Sequence, residues 1–136
     1  MDQSVYLEKN ISQQPALDLL QSMGYTYISP QDCEAQRGSR YHVLLKDILR
    51  GQLRRLNRYT FAGAENEFSA ANIERAMDDL DEPLTDGLVR ASEKIYDALL
   101  LGKSYPETVG EGKILSFNLR YIDWEHPENN LFHVTE

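Results

Sequence analysis

Lys113-Ile-Leu-Ser-Phe-Asn-Leu-Arg-Tyr-Ile-Asp-Trp124, continued by Glu125-His-Pro-Glu-Asn-Asn130 and Leu131-Phe-His-Val-Thr-Glu136, is the stretch that decides the fold class. Its first part is rich in β-branched and aromatic residues. Ile114, Ser116, Asn118, Arg120 and Ile122 alternate with Leu115, Phe117, Leu119, Tyr121 and Asp123. A period of two is the pattern of a strand. His126 to Asn130 then reads as a turn, because proline fixes φ and asparagine tolerates left-handed backbone. Residues 131–134 start a second strand, and the given sequence stops soon after. An edge strand without its neighbour is an unusual natural end, so the expectation is an incomplete domain.

Upstream the period lengthens to that of helices. A first helix is expected over about 12–23, with Ser12 as N-cap, Pro15 in the first turn, and Leu17, Leu20 and Met23 on its apolar face. Gly24 ends it, and residues 25–28 read as a short strand stopped by Pro30. A longer helix is expected over about 39–57. Tyr41, Leu44, Leu45, Ile48, Leu49, Gln52 and Leu56 fall on one side, while Lys46, Arg50, Arg54 and Arg58 recur every four residues on the other. Gly51 weakens that helix, and a loop follows at Gly63. Ser69 opens a third helix with Asn72, Ile73, Ala76, Met77 and Leu80 inward, broken at residues 81–83. Thr85 or Asp86 starts a fourth, with Leu88, Ala91, Ile95, Ala98, Leu99 and Leu101 as its stripe and Gly102 as its close. The reading is one α/β domain over 1–136, helical over about 12–102 and stranded over about 113–136.

The formal net charge is −8, which argues against a free-standing nucleic-acid-binding protein. The charge is unevenly spread. Residues 37–58 hold seven of the fourteen basic groups and one acid, Asp47, whereas residues 65–111 hold twelve acids against four bases. No stretch reaches the roughly 20 apolar residues of a membrane span. MDQSVYLEKN has neither a basic nor an apolar signal region. Cys33 is the single cysteine, so no internal disulfide forms, and a reducing cytoplasm is expected. Its neighbours Asp32 and Glu34 make poor surroundings for a nucleophile.

Two segments imitate a phosphate loop and fail. Gly102-Lys103-Ser104 has Asp97 where the first glycine belongs and follows a helix; Gly110-Glu-Gly-Lys113 lacks the Ser or Thr after lysine. His42, His126 and His133 show no ligand spacing, so no metal site is expected on them. Asp123 and Glu125, with Glu128 nearby, could hold Mg²⁺; the alternative is a polar strand end entering a turn. The basic stripe of Lys46, Arg50, Arg54 and Arg58 is the clearest chemical feature. It could neutralise successive DNA phosphates, or be a solvated face that pairs with the acidic third and fourth helices. No aromatic stacking platform accompanies it.

The segment from Phe117 through Asp123-Trp124, Pro127, Asn129-Asn130 and Phe132 to Val134-Thr135 resembles the N-terminal domain of the R (restriction) subunit of type I restriction-modification enzymes. The helix ending at Gly24-Tyr25 is similar to that family's opening helix, and Leu53 to Asn57 to a further one. The resemblance covers about 5–134. It implies a restriction-endonuclease-like mixed sheet flanked by helices, of which this chain holds the helical part and the first strands. For the full subunit it implies Mg²⁺-dependent cleavage of double-stranded DNA, ATP-driven translocation, and a complex with methyltransferase and specificity subunits. The family's catalytic Asp and Glu-x-Lys are expected downstream of Glu136, so no catalytic or metal residue is assigned here. That family's opening helix often carries a glutamate that supports the metal; here Gln13 and Gln14 stand nearest, unless Glu8 or Asp18 substitutes. The rival readings are a non-enzymatic interaction module built on the acidic region, and an acidic DNA mimic, which the basic cluster opposes.

Overall fold

Serine followed by proline, as at Ser29-Pro30, is a helix start as much as a strand stop, and both happen here. The computed structural model describes residues 9–38, 42–81, 85 and 87–136. Glu8, Tyr41, Pro83 and Asp86 of the sequence reading lie outside them. The helices are α1 (Gln14–Ser22), α2 (Pro30–Arg37), α3 (Lys46–Leu56), α4 (Ala70–Leu80) and α5 (Leu88–Leu101). The strands are β1 (Thr26–Tyr27), β2 (Arg58–Phe61), β3 (Ala64–Glu67), β4 (Lys103–Thr108), β5 (Ile114–Leu119) and β6 (His133–Val134). The α/β class expected from the sequence is thus the one observed. Among the described residues the strands form three two-stranded sheets, β1–β6, β2–β3 and β4–β5. The chain divides into two compact units, residues 1–45 with 131–136, and residues 46–130.

In the first unit a π-helical turn, Lys9–Gln13, runs into α1. Ser12 therefore lies inside the helical run and is no cap; Pro15 sits in the first turn of α1, and Leu17 is its buried residue. Met23, expected on the apolar face, is exposed. β1 and β6 pair in parallel, with Thr26 opposite His133 and Tyr27 opposite Val134. Tyr25 and Phe132 pack with ring centroids 5.4 Å apart. α2 was not foreseen. Ser29 caps it by accepting the Asp32 N–H at 3.1 Å, Pro30 occupies the first turn, and Gly38 closes it in the left-handed conformation.

The second unit holds the main core of Leu53, Phe68, Ile73, Ala76, Met77, Ala98, Tyr105, Leu119 and Tyr121. Burying a side chain such as Ile73 contributes about 1.5–3 kcal/mol. The inward set foreseen for α4 is correct: Asn72, Ile73, Ala76 and Met77 are buried behind a Ser69 cap. The expected helix over 39–57 begins only at Lys46, where Asp47 favours a helix N-terminus. Arg58 is in β2, so the basic row does not continue onto it as a helix face. α5 buries Ala91 and Ala98 but leaves Leu88 and Leu101 exposed, against expectation.

β5 pairs antiparallel with β4, from Lys103 opposite Leu119 to Thr108 opposite Ile114. β4 therefore starts ten residues earlier than the 113 expected for the stranded part, and β2 and β3 lie within the stretch expected to be helical. Pro106 hides β4 from a propensity reading, and it is tolerated because β4 is an edge strand, paired on one side only. Gly102 takes φ +75° between α5 and β4, and a Cβ there would collide with the Leu119 carbonyl oxygen. The β2–β3 hairpin closes through Ala62 (φ 51°) and Gly63 (φ 78°) with Phe61 paired to Ala64, a two-residue turn of the primed type. Gly is at home there and Ala is not. Tyr59 anchors the hairpin, stacked on Phe117 at 4.5 Å and edge-on to Phe68 at 5.4 Å.

Ala62→Asn is expected to raise stability by about 0.5–1 kcal/mol, because Asn tolerates positive φ and the exposed alanine methyl packs nothing away. Thermal unfolding checks this; an unchanged or lower midpoint would show that the turn carries no strain.

Candidate functional site

The basic face of α3 was the sequence's best chemical lead, and the structure divides it. Arg50 donates from Nε to Glu74 Oε1 at 2.5 Å, from Nη2 to Glu74 Oε2 at 3.4 Å, and from Nη1 to Asp47 at 3.1 Å. The hydrogen bond from Arg50 holds Glu74 below the ordinary carboxylate range, against some burial, with further help from the charges of Arg50, Arg54 and Lys46. Arg58 pairs with Glu67 across the hairpin at 3.3 Å and donates to the carbonyls of Arg54 and Asn57. Lys46 and Arg54 form no ion pair with a described residue. Of the four candidates, then, Arg50 follows the acidic-helix alternative through α4, Arg58 is held by its own hairpin, and the half-buried Lys46 and the exposed Arg54 are left without an ion pair to a described residue.

A denser polar arrangement lies at the end of β5. Asp123 was read as one half of a carboxylate pair, and it does something else. Its Oδ1 accepts the His126 backbone N–H at 3.0 Å and lies 3.3 Å from Arg120 Nη1; its Oδ2 accepts Asn129 Nδ2 at 3.0 Å. Asn130 seals the loop from the other side, accepting the Asp123 N–H and donating to its carbonyl, each at 2.9 Å. The carboxylate is shut off from solvent by the loop that it organises. The bond from Asn129, then the His126 N–H, outweigh desolvation and hold Asp123 below its ordinary 3.8, with Arg120 and His126 adding to the effect. Trp124 turns outward, 59% exposed, and its indole N–H donates to the Leu99 carbonyl at 3.0 Å.

α3 is tied to this loop by residues that sequence reasoning passed over. Gln52 and Arg55 both donate to the Asn129 carbonyl, at 3.0 and 2.6 Å. Asn57, 4% exposed, pairs with the backbone of Arg120 as a neighbouring strand would. Its Oδ1 accepts the Arg120 N–H at 2.9 Å, and its Nδ2 donates to the carbonyls of Arg120 and Leu53 at 2.8 and 2.9 Å. Only the Asn placed directly after the apolar row of α3 hinted at this. Further along, Glu107 is buried beneath the start of α4 and accepts from the Ser69 N–H and from Asn72. Tyr105 donates to Asp79 at 2.5 Å, and Lys103 pairs with the same carboxylate at 3.2 Å.

These contacts decide what the chain can hold. Among the described residues no three His, Cys, Asp or Glu side chains could share a metal ion. Glu125 and Glu128 are exposed and do not converge with Asp123 on a cation. Gln14 donates to Asp18 at 3.0 Å, so neither forms a carboxylate cradle. A Glu-x-Lys spacing at Glu111–Lys113 lies in a short 3₁₀ turn leading into β5. The described residues thus form no cluster of three such ligands for Mg²⁺, and Lys103 of the failed phosphate loop is engaged with Asp79.

The geometry defines an α/β domain whose specific polar residues build a loop, with a partly neutralised basic helix beside it. The chain belongs to the family described as type I restriction enzyme R protein N terminus, whose model matches residues 5–136. No curated protein and no solved structure matches it. Six of the residues behind the resemblance, Leu53, Asn57, Asp123, Trp124, Asn129 and Asn130, are among the contacts just described.

Asp123→Asn is expected to lower the unfolding midpoint by several degrees near neutral pH, since it sets an amide donor against the donors of His126, Asn129 and Arg120. A depressed folded-state pKa gives stability that is present above the unfolded value and lost as pH falls through the folded one. The gap between wild type and Asp123→Asn should therefore close in acid; a gap constant with pH would mean that the charge is not what holds the loop. Asn57→Ala leaves the Arg120 N–H and carbonyl unpaired and should cost about 1–3 kcal/mol, read by denaturant unfolding; a loss well under that range would show that water replaces the amide.

Proposed function

We propose that this chain is the N-terminal part of the endonuclease domain of a type I restriction enzyme R subunit. The full subunit, in this reading, cleaves foreign unmethylated double-stranded DNA after ATP-driven translocation, in the cytoplasm and together with methyltransferase and specificity subunits. The observation that carries the reading is the family match over nearly the whole chain. Mg²⁺ and ATP belong to the full subunit; this chain's described residues form no ligand set for the metal. Its part is to build the wall of the domain and to offer Lys46 and Arg54 to a DNA backbone. Arg50 and Arg58 take part only if phosphates compete with Glu74 and Glu67 for them. Phosphate contacts of this kind give affinity without sequence preference. No helix among the described residues is long and apolar enough to cross a membrane, consistent with this setting.

The test uses the assembled enzyme with the double variant Lys46→Glu, Arg54→Glu in the R subunit. ATP-dependent cleavage should fall several-fold, and the salt dependence of the R subunit's DNA binding should become shallower by about the two contacts removed. Cleavage and salt slope both equal to wild type would remove the backbone-contact reading. An R subunit of this sequence that assembles fully but never cleaves would remove the nuclease assignment itself.

A further inference from the structure

α5 packs its small residues inward and its large ones outward. Ala91 and Ala98 are buried at 3% and 4% exposure, whereas Leu88, Val89 and Tyr96 are 70%, 72% and 65% exposed, and Leu100 is 47% exposed. With Ser92 these residues recur at the three- and four-residue spacing that makes neighbours on a helix surface. They form one continuous apolar strip rather than scattered exposed side chains, and contiguous strips mark interaction sites. Leu88, Val89, Ser92 and Tyr96 line a shallow depression whose remaining edge is Glu93 and Asp97. Those carboxylates stand four residues apart, and neither is in an ion pair with a described residue. Arg90 and Lys94, each three residues before one of them, lie on the far side of the rail from the strip.

We infer that the outer face of α5 docks a helix of another polypeptide, apolar along one side and carrying Lys or Arg along the adjoining edge. An apolar strip beside an anionic rail is the complement of that chemistry. A second copy of this chain fits worse. In an antiparallel two-fold pairing Glu93 and Asp97 would meet their own copies, and in a parallel one the rail would find no basic edge opposite. A bare lipid surface fits worse still, because anionic headgroups meet the same carboxylates.

Trp124, the only tryptophan, is bonded to the Leu99 carbonyl at the end of α5, so its fluorescence reports on this face. The probes are two synthetic amphipathic helical peptides with the same leucine face, one with a lysine edge and one with a glutamate edge. The lysine-edged peptide should bind the chain and shift Trp124 emission, with about tenfold preference over the other, the worth of two exposed charge pairs. Tyr96→Asp should abolish binding with an unchanged unfolding midpoint, and Glu93→Lys with Asp97→Lys should reverse the preference. Equal affinity for the two peptides, no binding of either, or binding that survives Tyr96→Asp would each overturn the inference. So would sedimentation of the wild-type chain as a dimer that Tyr96→Asp dissolves, since the strip would then be a self-interface.

Discussion

The carboxylate of Asp123 is the constraint on which the second unit turns. A carboxylate closed off from water needs its oxygens occupied by donors, or the charge becomes too costly to keep. Here the donors come from three places: the His126 backbone, the Asn129 amide and the Arg120 guanidinium. Each fixes a different piece of chain. His126 and Asn129 define the turn after β5, and Arg120 joins that turn to the strand's last residues. Through the Asn129 carbonyl the same turn holds Gln52 and Arg55 of α3. The helix, the end of the strand and the loop are therefore positioned by one connected set of polar contacts, beside the core residues Leu53, Leu119 and Tyr121.

Asn57 does the complementary work on the other flank of β5. The strand pairs with β4 only as far as Leu119, opposite Lys103. One residue later, the amide of Asn57 takes over and satisfies both backbone groups of Arg120. A side chain thus ends the sheet without leaving buried backbone unpaired. The charge asymmetry of the sequence resolves in a similar way. Glu74 and Glu67 pair at the surface with two of the four expected DNA-backbone cations. A raw count of basic residues overstates what that surface offers to an anion.

What was legible in the sequence is what periodicity encodes. The inward row of α4, the alternation that puts Leu119, Tyr121 and Asp123 inside, and the turn at Pro127 were all readable, because burial imposes a period on the chain. The parts that escaped have other causes. α2 has little apolar character, so only its Ser29-Pro30 start and Gly38 end speak for it. β4 contains Pro106, which propensity disfavours and an edge position allows. Helix starts were misplaced at residues 39 and 12, since an apolar row runs on through coil as easily as through helix. At the candidate site, Asp123 was noticed for its charge, but a carboxylate that binds a cation and one that collects N–H donors look alike in one dimension.

That last ambiguity bears on what Asp123 does in this domain. A metal-binding carboxylate must keep lone pairs free toward the ion, and its pKa is set by the cation's charge. Asp123 spends its acceptors on an N–H, an amide and a guanidinium, and its low pKa follows from those donors. The lone pair left on Oδ2 is closed off from solvent, so a cation would have to open the turn to reach it. The most recognisable stretch of the sequence is therefore recognisable for its architecture: Asp123 collects N–H donors and holds a turn.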